Sequence, residues 1–381
     1  MKKKFFITTT IPATLGFFKG NLAYLNEVFE VYAISSQKDE LNELGRKEGI
    51  KTFFIPMRRP ISLFYDIVSL FRFIKLFLVE RPDIVHGNTP KASLLSMVSA
   101  KLSGVKVRIY MCHGLRYQGT TGIMRLLLMK MEKITCKCAT EVICVSKGVR
   151  NILIEDGICA KNKAVVIHHG SASGIDLDYF KIDSSLQNTD VREKLGISLT
   201  DFVFIFVGRI VKDKGVNELI SSFEKLHSQI NSVHLILVGS EEKGLNPISK
   251  KNRETIETHL NIHAVGRQID IRPYLLSSDA FVLPSYREGF GMVLLEAGAM
   301  GLPCITTNIS GCNEIVIQGE NGEIIPPRDE KALYEKMKDW VVHKDKLAYM
   351  SSHARSFVEN RFDKKTVWLK LLDEYNRLLT S

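Results

Sequence analysis

Short β-rich runs alternate with longer helical stretches along most of the chain, and this alternation constrains the fold more than any other feature. In the first half the runs are KKFFITT, EVYAIS, KTFFIPM, DIVH, VRIYMCH, EVICVS and VVIHH, and in the second half they are FVFIFVG, VHLILVG, IDIRP, AFVLPS and PCITT. Strands separated by helical segments are typical of parallel sheets built from βαβ units. The sequence therefore predicts an α/β protein with doubly wound parallel sheets.

The length of the chain indicates two such domains, because 381 residues exceed what one hydrophobic core usually organises. The segment GSASGIDLDYFKIDSSLQNTD is polar, contains glycine and lacks apolar periodicity, which is typical of a linker. We therefore expect an N-terminal domain at residues 1–180 and a C-terminal domain at residues 181–360. The final RFDKKTVWLKLLDEYNRLL has apolar residues at helical spacing and predicts an amphipathic helix, residues 361–381, that closes the protein.

The first residues, MKKKFFITTTIPATLGFF, resemble a secretory signal because lysines precede an apolar stretch. Thr8, Thr9, Thr10 and Pro12 interrupt that stretch early, so a first β-strand and a cytoplasmic protein are expected, with a signal peptide as the alternative. No uncharged apolar run is long enough to predict a membrane-spanning helix. The seven cysteines are scattered without paired spacing, which favours reduced, packed thiols.

Charge is distributed unevenly between the two halves. Residues 1–180 contain 26 Lys and Arg against 15 Asp and Glu, a balance of +11, whereas residues 181–381 contain 26 against 27, a balance of −1. A basic half suggests an anionic partner, either a membrane surface or a nucleic acid. The alternative is a solvated surface without a partner.

Ligands of doubly wound sheets bind beyond the carboxyl ends of the strands, where this sequence places unusual residues. In FVFIFVGRIVKDKG, Gly208 and Arg209 directly follow a strand and Lys214 comes five residues after Arg209. Arginine offers a planar fork and lysine a point charge, so together they suit a diphosphate. An exposed charged turn is the alternative interpretation.

The stretch EGFGMVLLE sets two carboxylates around a glycine turn that leads from a strand into a helix. Gly289 and Gly291 let the backbone approach a ligand, and a helix beginning near Met292 suits a phosphate through its free amides. Glu288 lies before the turn and Glu296 just over one turn inside the helix, and carboxylates accept hydrogen bonds from vicinal hydroxyls. The pair could hold two sugars around one diphosphate, or be a helix charge and a solvated loop residue.

With these residues in place, the chain resembles the retaining glycosyltransferases of family 4. The resemblance is carried by GRIVKDKG, PSYREGFGMVLLEAGAMGLPCI and SGCNEIVIQGENGEIIPPRD, by HHGSASGIDLDYF in the linker, and by PDIVHGNTPKAS and MCHGLRY in the first half. It implies the GT-B fold, in which two Rossmann-like domains face a central cleft. Within the family the chain looks most like enzymes that extend polyprenyl-diphosphate-linked sugars in bacterial capsule, O-antigen or exopolysaccharide synthesis.

The resemblance implies roles for individual residues. Arg209 and Lys214 would bind the diphosphate of a nucleotide-sugar donor, most simply a UDP-sugar, and Glu296 would bind the ribose. Glu288 would hold hydroxyls of the transferred sugar, and His113 would reach the sugar from the N-terminal domain. The same donor site would also include Gly208, Gly289, and the amides around Phe290, Gly291 and Met292.

One loop departs from the family pattern. Many members have a Gly-Gly pair after the first strand, whereas TIPATLGFFKGN offers only Gly16 and Gly20. Gly16 is the residue that the resemblance would place on the acceptor side.

No metal ion and no cofactor are expected, since the nucleotide-sugar is itself a substrate. Arg209, Lys214 and the helix terminus would replace the cation that neutralises a departing diphosphate. Asp176-Leu177-Asp178 forms a DxD string, which binds metal in the other large transferase fold, but its place in the linker predicts a turn. The resemblance implies retention of anomeric configuration, with the leaving diphosphate accepting the acceptor's proton.

The stretch IMRLLLMKMEKITCKCA predicts a membrane contact. Arg125, Lys130, Lys133 and Lys137 accompany a dense apolar set at helical spacing, as in helices that lie in the membrane interface. We therefore expect a peripheral protein on the inner face of the cell membrane, which takes a lipid-linked saccharide as acceptor. The alternative is that this apolar face packs on the sheet.

Three other classes of protein compete with a transferase. A two-domain periplasmic sugar-binding protein without catalysis is the class that the signal-peptide interpretation would favour, and a cleavage site would support it. A NAD-dependent dehydrogenase is disfavoured because no GxGxxG follows a candidate strand. A nucleic-acid-binding protein is disfavoured because no recognised module accompanies the basic charge, so no nucleic-acid partner is expected.

Overall fold

Apolar, β-branched and aromatic runs form the strands of two parallel sheets in the computed structural model, which describes residues 2–182, 190–242, 244 and 246–380. One sheet belongs to an N-terminal unit, Met1–Gly174 together with Lys365–Ser381, and the other to a C-terminal unit, Ile175–Lys364. The predicted fold class, two Rossmann-like parallel-sheet domains, is confirmed.

The sheet of the N-terminal unit has seven parallel strands in the order β3-β2-β1-β4-β5-β6-β7. Their bounds are β1 Lys4–Thr8, β2 Glu30–Ser35, β3 Lys51–Phe54, β4 Ile84–Gly87, β5 Val107–Cys112, β6 Glu141–Cys144 and β7 Ala164–Val165. The central strands are buried on both faces, which explains why their sequences are continuous apolar runs rather than alternating ones.

Six helices of the N-terminal unit precede the linker: α1 Asn21–Val28, α2 Lys38–Glu48, α3 Leu63–Glu80, α4 Pro90–Leu102, α5 Gly122–Cys138 and α6 Lys147–Glu155. Helix α4 begins with a proline, whose fixed φ suits the first helical position. It packs against α3 on one side and α5 on the other. The inner face of α3 contributes Phe73 and Phe77 to the core of this unit.

The sheet of the C-terminal unit has six parallel strands in the order β10-β9-β8-β11-β12-β13. The strands are β8 Phe202–Val207, β9 Val233–Val238, β10 Ile262–Gly266, β11 Ala280–Leu283, β12 Cys304–Thr307 and β13 Gly322–Ile325. The helices are α7 Asp190–Lys194, α8 Val216–His227, α9 Lys250–Thr258, α10 Arg272–Leu276, α11 Met292–Ala299, α12 Glu330–Val342 and α13 Lys344–Phe362. The chain order of the strands reverses between β8 and β11, so their carboxyl ends form the switch point where ligands of such sheets bind.

The strand prediction is wrong for IDIRP. Ile269 is fully exposed, and Asp270 accepts hydrogen bonds from the backbone N–H (3.0 Å) and the guanidinium of Arg272, which forms a turn into α10. The strand of this region is β10, five residues that sequence analysis missed because an edge strand containing His263 and Gly266 has a weak apolar pattern. Strand β13 was missed too, and of the predicted run VVIHH only Val165 lies in a strand, the two-residue β7.

The chain passes between the units at Gly174 and Ile175, inside the segment predicted as a linker, of which residues 183–189 lie outside the described residues. Asp176-Leu177-Asp178 forms the predicted turn, because the Asp176 carboxylate accepts from the Tyr179 N–H at 3.1 Å. The last helix, α14 Lys364–Thr380, is the predicted C-terminal helix, and its residues from Lys365 onward belong to the N-terminal unit. There the Trp368 indole donates to the carbonyl of Ser173 at 2.9 Å.

The start of the chain forms β1, as predicted, rather than an apolar helix. Of the helices in the described residues, none has the length and apolar character needed to cross a membrane. All seven cysteines are free thiols, and six of them are buried, in agreement with the packed thiols expected from their spacing.

Candidate functional site

The loops after β8 and β11 meet at the switch point of the C-terminal sheet. After β8 the chain turns at Gly215, whose φ of +71° belongs to the left-handed region that favours glycine. A Cβ atom there would lie 2.0 Å from the carbonyl oxygen of Pro284, which directly follows β11. Only glycine therefore lets the two loops pack against each other.

This packing brings Lys214 and Glu288 together. The Lys214 ammonium forms an ion pair with Glu288 Oε1, and the same oxygen accepts a hydrogen bond from the Ser285 hydroxyl at 2.8 Å. The side chains of Lys214 and Glu288 are only 19% and 14% exposed, so the pair is largely removed from water. Both contacts use Oε1, and Oε2 has no hydrogen-bond partner within the described ranges.

Arg209 points to a different partner. Its guanidinium lies 2.8 Å from the carboxylate of Glu242, which follows β9, and the Arg209 side chain is 51% exposed. The two predicted diphosphate ligands thus lie on one loop, but each is paired with a carboxylate from a different neighbouring loop.

The predicted glycine turn leads into α11, which begins at Met292 as expected. A Cβ atom on Gly291 would lie 3.3 Å from the carbonyl oxygen of Gly311, to which the Gly291 N–H donates at 2.9 Å. The Met292 N–H donates to the carbonyl of Phe290 at 2.9 Å. Both amides therefore already have acceptors in the protein, and the role in donor binding predicted for Gly289, Phe290, Gly291 and Met292 stays a prediction.

Glu296 lies on α11 and is half-buried. Its carboxylate has neither a hydrogen-bond donor nor a cationic partner among the residues described by the structure. Burial alone raises the pKa of Glu296 from 4.5 to about 7. A desolvated carboxyl group without a partner costs free energy, which is a pattern found where a ligand completes the site.

A cavity of about 340 Å³ lies beyond the ends of β8, β9 and β10. It is lined by Val207, Gly208, Arg209, Val238, Gly239, Ser240, Glu242, Arg267, Gln268 and Ile271. Of this set, only Gly208 and Arg209 are among the residues predicted from the sequence. The sequence does contain a signal for this part of the site, because the dipeptide VG ends both the β8 run and the β9 run. In the structure the two glycines pack closely, since a Cβ atom on Gly239 would lie 1.8 Å from the carbonyl oxygen of Gly208.

The predicted residues of the N-terminal domain lie in the other unit. His113 follows β5, is half-buried next to the rings of Phe17 and Phe18, and its Nε2 lies 3.3 Å from Asn88 Oδ1. Burial lowers the pKa of His113 to about 4, so its imidazole is neutral at pH 7. Gly16 lies in a 3₁₀ turn where a Cβ atom would meet nothing within 4 Å, so close packing does not require glycine at this position.

The predicted membrane residues lie on α5. Lys130, Lys133 and Lys137 are exposed, and Ile123 near the start of the helix is 86% exposed. Arg125 is only half-exposed, and its guanidinium lies 5.7 Å from the centre of the Tyr117 ring. Three of the four predicted cations therefore face outward.

Helix α3 carries an apolar face that sequence analysis did not identify. Phe64, Ile67, Phe71 and Leu78 recur at helical spacing and are exposed, with Phe64 72% and Phe71 65% accessible. The cations nearest to this face in sequence are Arg72 and Lys75, which are exposed as well. Throughout the described residues, no group of three or more His, Cys, Asp and Glu side chains could hold a metal ion.

Two family models and several known proteins match this chain. A model described as "Glycosyltransferase Family 4" matches residues 23–172, and one described as "Glycosyl transferases group 1" matches residues 187–357. The capsular polysaccharide biosynthesis glycosyltransferase CapM of Staphylococcus aureus is 34% identical over 379 residues, which are 99% of this chain and 98% of that protein. UDP-Gal:alpha-D-GlcNAc-diphosphoundecaprenol alpha-1,3-galactosyltransferase of Escherichia coli is 30% identical, covering 89% of this chain and 86% of that protein.

Solved structures share the fold at low identity. Anabaena Alr3699/HepE in complex with UDP superposes with a TM-score of 0.82 at 20% identity, over 99% of this chain and 100% of that chain. Sucrose-phosphate synthase from Thermosynechococcus elongatus gives a TM-score of 0.79 at 18% identity, over the whole of both chains. The likeness establishes the GT-B fold that the sequence resemblance implied.

Proposed function

The chain belongs to the glycosyltransferases of family 4, and on that premise we propose that it transfers a sugar from a UDP-sugar to a lipid-linked saccharide during synthesis of a bacterial surface polysaccharide. The observation that carries the proposal is the switch point of the C-terminal sheet. There a shielded Lys214–Glu288 pair and the partnerless carboxylate of Glu296 flank a glycine turn. Cations for a diphosphate and carboxylates for sugar hydroxyls are what a nucleotide-sugar requires.

The donor would occupy the C-terminal unit. The cavity beyond β8, β9 and β10 is of a size suited to a nucleoside, and Glu296 would accept hydrogen bonds from the ribose hydroxyls. Lys214 and Arg209 would bind the diphosphate, and Glu288 would use its unpartnered Oε2 for a hydroxyl of the transferred sugar. The UDP bound to HepE and the UDP-Gal in the name of the Escherichia coli relative support a uridine nucleotide as donor.

The proposed chemistry retains the anomeric configuration and needs no metal ion. The bond from the anomeric carbon to the diphosphate oxygen breaks, and a bond from that carbon to the acceptor oxygen forms on the same face. The acceptor's proton passes to an oxygen of the departing diphosphate. Negative charge grows on the diphosphate as it leaves, and Arg209 and Lys214 stabilise it, because preorganised cations act most strongly where charge develops.

The acceptor would be bound to a polyprenyl diphosphate. The Escherichia coli relative is named for a diphosphoundecaprenol substrate, and a Campylobacter jejuni relative, 23% identical over 93% of this chain, is named for another. A lipid-linked acceptor requires an enzyme that works at a membrane surface. We therefore assign the N-terminal unit to the inner face of the cell membrane, with α5 as a basic helix in the interface.

The exposed face of α3 supports the same assignment. Helices α3 and α5 flank α4, and both expose apolar side chains accompanied by cations. Lysines near an anionic leaflet contribute about 1 kcal/mol each, and aromatic side chains add apolar insertion that does not depend on lipid charge. Together they would give reversible recruitment.

The proposal is tested by a transfer assay. A thermal-shift screen of nucleotide-sugars first identifies the donor, which should raise Tm; that donor is then incubated with a polyprenyl-diphosphate-linked sugar. We expect a lipid product one sugar larger, and no product from the Lys214→Ala variant. Stabilisation by free sugars but by no nucleotide-sugar, with no transfer, would instead favour a sugar-binding protein without catalysis.

A further inference from the structure

A row of hydrogen-bonded polar side chains runs through the interior of the N-terminal unit and ends at His113. The Tyr375 hydroxyl, on α14, lies 3.2 Å from Nε2 of His86, and His86 Nδ1 lies 2.9 Å from the side-chain amide of Asn88. The other end of the Asn88 amide is the Oδ1 that lies 3.3 Å from His113 Nε2. Tyr375, His86 and Asn88 are all buried, so few water molecules compete for these bonds.

The orientation of the Asn88 amide follows from its surroundings. Its Nδ2 lies 3.4 Å from the main-chain carbonyl oxygen of His86, as well as 2.9 Å from the ring of the same residue. A carbonyl oxygen can only accept, so the atom facing it must be the NH₂ group and not Oδ1. Oδ1 then faces His113, and because Oδ1 can only accept, His113 Nε2 must carry a proton.

Both imidazoles are neutral, so each has one defined tautomer. Burial lowers the pKa of His86 to about 3 and that of His113 to about 4. His86 Nδ1 accepts from Asn88, so its Nε2–H donates to the Tyr375 hydroxyl. In His113 the proton on Nε2 leaves Nδ1 with a free lone pair.

We propose that Asn88 is a positioning residue that holds His113 as the Nε2–H tautomer, so that His113 Nδ1 accepts a hydrogen bond from a sugar hydroxyl of the substrate. This assignment rests on the proposed function and on the role that the family resemblance implies for His113, a contact with the transferred sugar. Nδ1 has no hydrogen-bond partner in the part of the chain that the structure describes. The rings of Phe17 and Phe18, whose centres lie 5.9 and 6.1 Å from that of His113, restrict the imidazole further.

The role of Asn88 differs from that of a buried amide that only stabilises the fold. A structural amide could be replaced without changing the protonation of His113, whereas a positioning amide sets it. The wrong tautomer would present an N–H to the sugar hydroxyl in place of a lone pair. Small errors in the placement of contact groups reduce rates by up to about a hundredfold.

The tautomer can be measured without substrate, by nitrogen NMR of protein labelled with ¹⁵N-histidine. The signals of His113, one of ten histidines, are identified by their loss in the His113→Gln variant. At pH 7 we expect Nε2 to have the shift of a protonated nitrogen and Nδ1 that of an unprotonated one. A protonated Nδ1 with an unprotonated Nε2 would overturn the proposal.

Two variants test the cause. In Asn88→Ala, His113 should become a mixture of tautomers and kcat/KM should fall roughly ten- to a hundredfold. In Asn88→Asp, which keeps the shape, the carboxylate should raise the pKa of His113, so that activity is lost at acidic pH and recovered as the pH rises. Asn376→Ala, an exposed neighbour on α14, is the matched control and should change neither the spectrum nor the rate.

The outcomes separate this inference from the proposed function. If wild-type protein transfers no sugar but His113 has the expected tautomer, the proposed function fails and the tautomer assignment stands. If the protein is an active transferase but Asn88→Ala leaves the tautomer unchanged, the positioning role is wrong. Should Asn88→Ala not fold, Asn88→Asp and the wild-type spectrum still decide the question.

Discussion

In both units the first strand lies inside the sheet, third from one edge, and the strand order outward from it is the same. The N-terminal order β3-β2-β1-β4-β5 matches the C-terminal order β10-β9-β8-β11-β12. The loops at the carboxyl ends nevertheless carry different chemistry. Those of the C-terminal unit carry Arg209, Lys214 and Glu288, whereas Asn88 and His113, which follow β4 and β5 of the N-terminal unit, are neutral.

The units differ again on their outer helices. Residues 1–180 carry a balance of +11, and α3 and α5 of the N-terminal unit expose apolar side chains beside cations. Residues 181–381 carry a balance of −1. Strand order therefore sets where a ligand can bind, while the loops and outer faces set which ligand binds. The comparison leads us to assign a charged donor to one unit and a lipid surface to the other.

The largest expected effect is on the charged chemistry of the C-terminal unit. Arg209→Ala should lower kcat about 100- to 1,000-fold, because it removes a cation from the departing diphosphate. The Arg209 side chain is half-exposed, so its ion pair contributes little to folding and Tm should hardly change.

Arg253→Ala is the matched control for this variant. Arg253 pairs with Glu241, the neighbour of Glu242, but lies on α9 and does not line the cavity. Near-normal turnover of Arg209→Ala, or an equal loss in Arg253→Ala, would contradict the assignment.

The second effect concerns the basic helix of the N-terminal unit. Replacing Lys130, Lys133 and Lys137 together by Gln should weaken binding to anionic vesicles about a hundredfold, at about 1 kcal/mol per lysine. Flotation at low and high salt measures this, and salt should weaken the wild type in the same way. Adding Arg125→Gln should change binding less than each lysine does, because Arg125 is half-buried beside Tyr117.

The control for that variant is a triple replacement in the C-terminal unit. Lys250, Lys251 and Lys331 are also exposed, but lie on the unit without a basic balance. Their replacement should leave flotation unchanged. If both triple variants weakened vesicle binding equally, the position of the lysines would not matter. The proposed difference between the two units would then be contradicted.

The third effect concerns Glu296 of the C-terminal unit, for which both UDP binding and stability should change. Glu296→Gln should weaken UDP binding roughly ten- to a hundredfold, the range for a hydrogen bond to a charged group. In the folded protein the pKa of Glu296 is raised from 4.5 to about 7, so the folded state favours the protonated carboxyl group. The stability that Glu296 contributes is therefore present below pH 4.5 and is lost as the pH rises through 7. As the pH rises from 4.5 to 8, the Tm of the variant should therefore increase relative to the Tm of the wild type.

Calorimetry of UDP binding and thermal unfolding at a series of pH values test both parts. A variant that binds UDP like wild type would remove Glu296 from the donor site. A Tm difference that does not depend on pH would mean that the carboxyl group is not desolvated.

A smaller effect is expected from the apolar face of α3. Replacing Phe64 and Phe71 by Ser should weaken vesicle binding roughly tenfold, since each ring is only partly immersed in the interface. Unlike the effect of the lysines, this loss should be similar at low and high salt. Leu260→Ser with Ile269→Ser, two exposed apolar positions of the C-terminal unit, is the control. An unchanged flotation of the Phe64/Phe71 variant would exclude α3 from the membrane contact.

No effect is expected from removal of divalent cations. Activity should survive EDTA, because Arg209 and Lys214 provide the positive charge that the leaving diphosphate requires. Loss of activity that Mn²⁺ or Mg²⁺ restores would show that the C-terminal unit needs a metal ion in addition to these side chains.

Sequence reasoning predicted the buried strands well, because strands covered on both faces are continuous apolar runs. It failed at the edge of the C-terminal sheet, where IDIRP alternates like a strand but forms a turn and IHAVG, the true edge strand, contains polar and small residues. The resemblance assigned Lys214 and Glu288 to one donor site, and each follows the carboxyl end of a strand, but the ion pair between them was not predicted. Whether the roles given to these residues are right stays a prediction.

Other features depend on contacts that a single sequence does not display. Glu242, Arg267 and Gln268 join the cavity only through the order of β8, β9 and β10 in the sheet. Asn88 meets His113 through the pairing of β4 with β5. Helix α3 is apolar on most of its circumference, so the sequence alone does not indicate which of its faces stays exposed.

The assignment of donor binding to the C-terminal unit and of membrane binding to the N-terminal unit is tested most directly by hydrogen–deuterium exchange, measured with UDP and then with anionic vesicles. UDP should slow exchange in residues 208–214, 239–242 and 285–296 of the C-terminal unit and leave α3 and α5 unchanged. Anionic vesicles should slow exchange in α3 and α5 and leave those loops unchanged. Protection of α3 and α5 by UDP, or of the C-terminal loops by vesicles, would contradict the account.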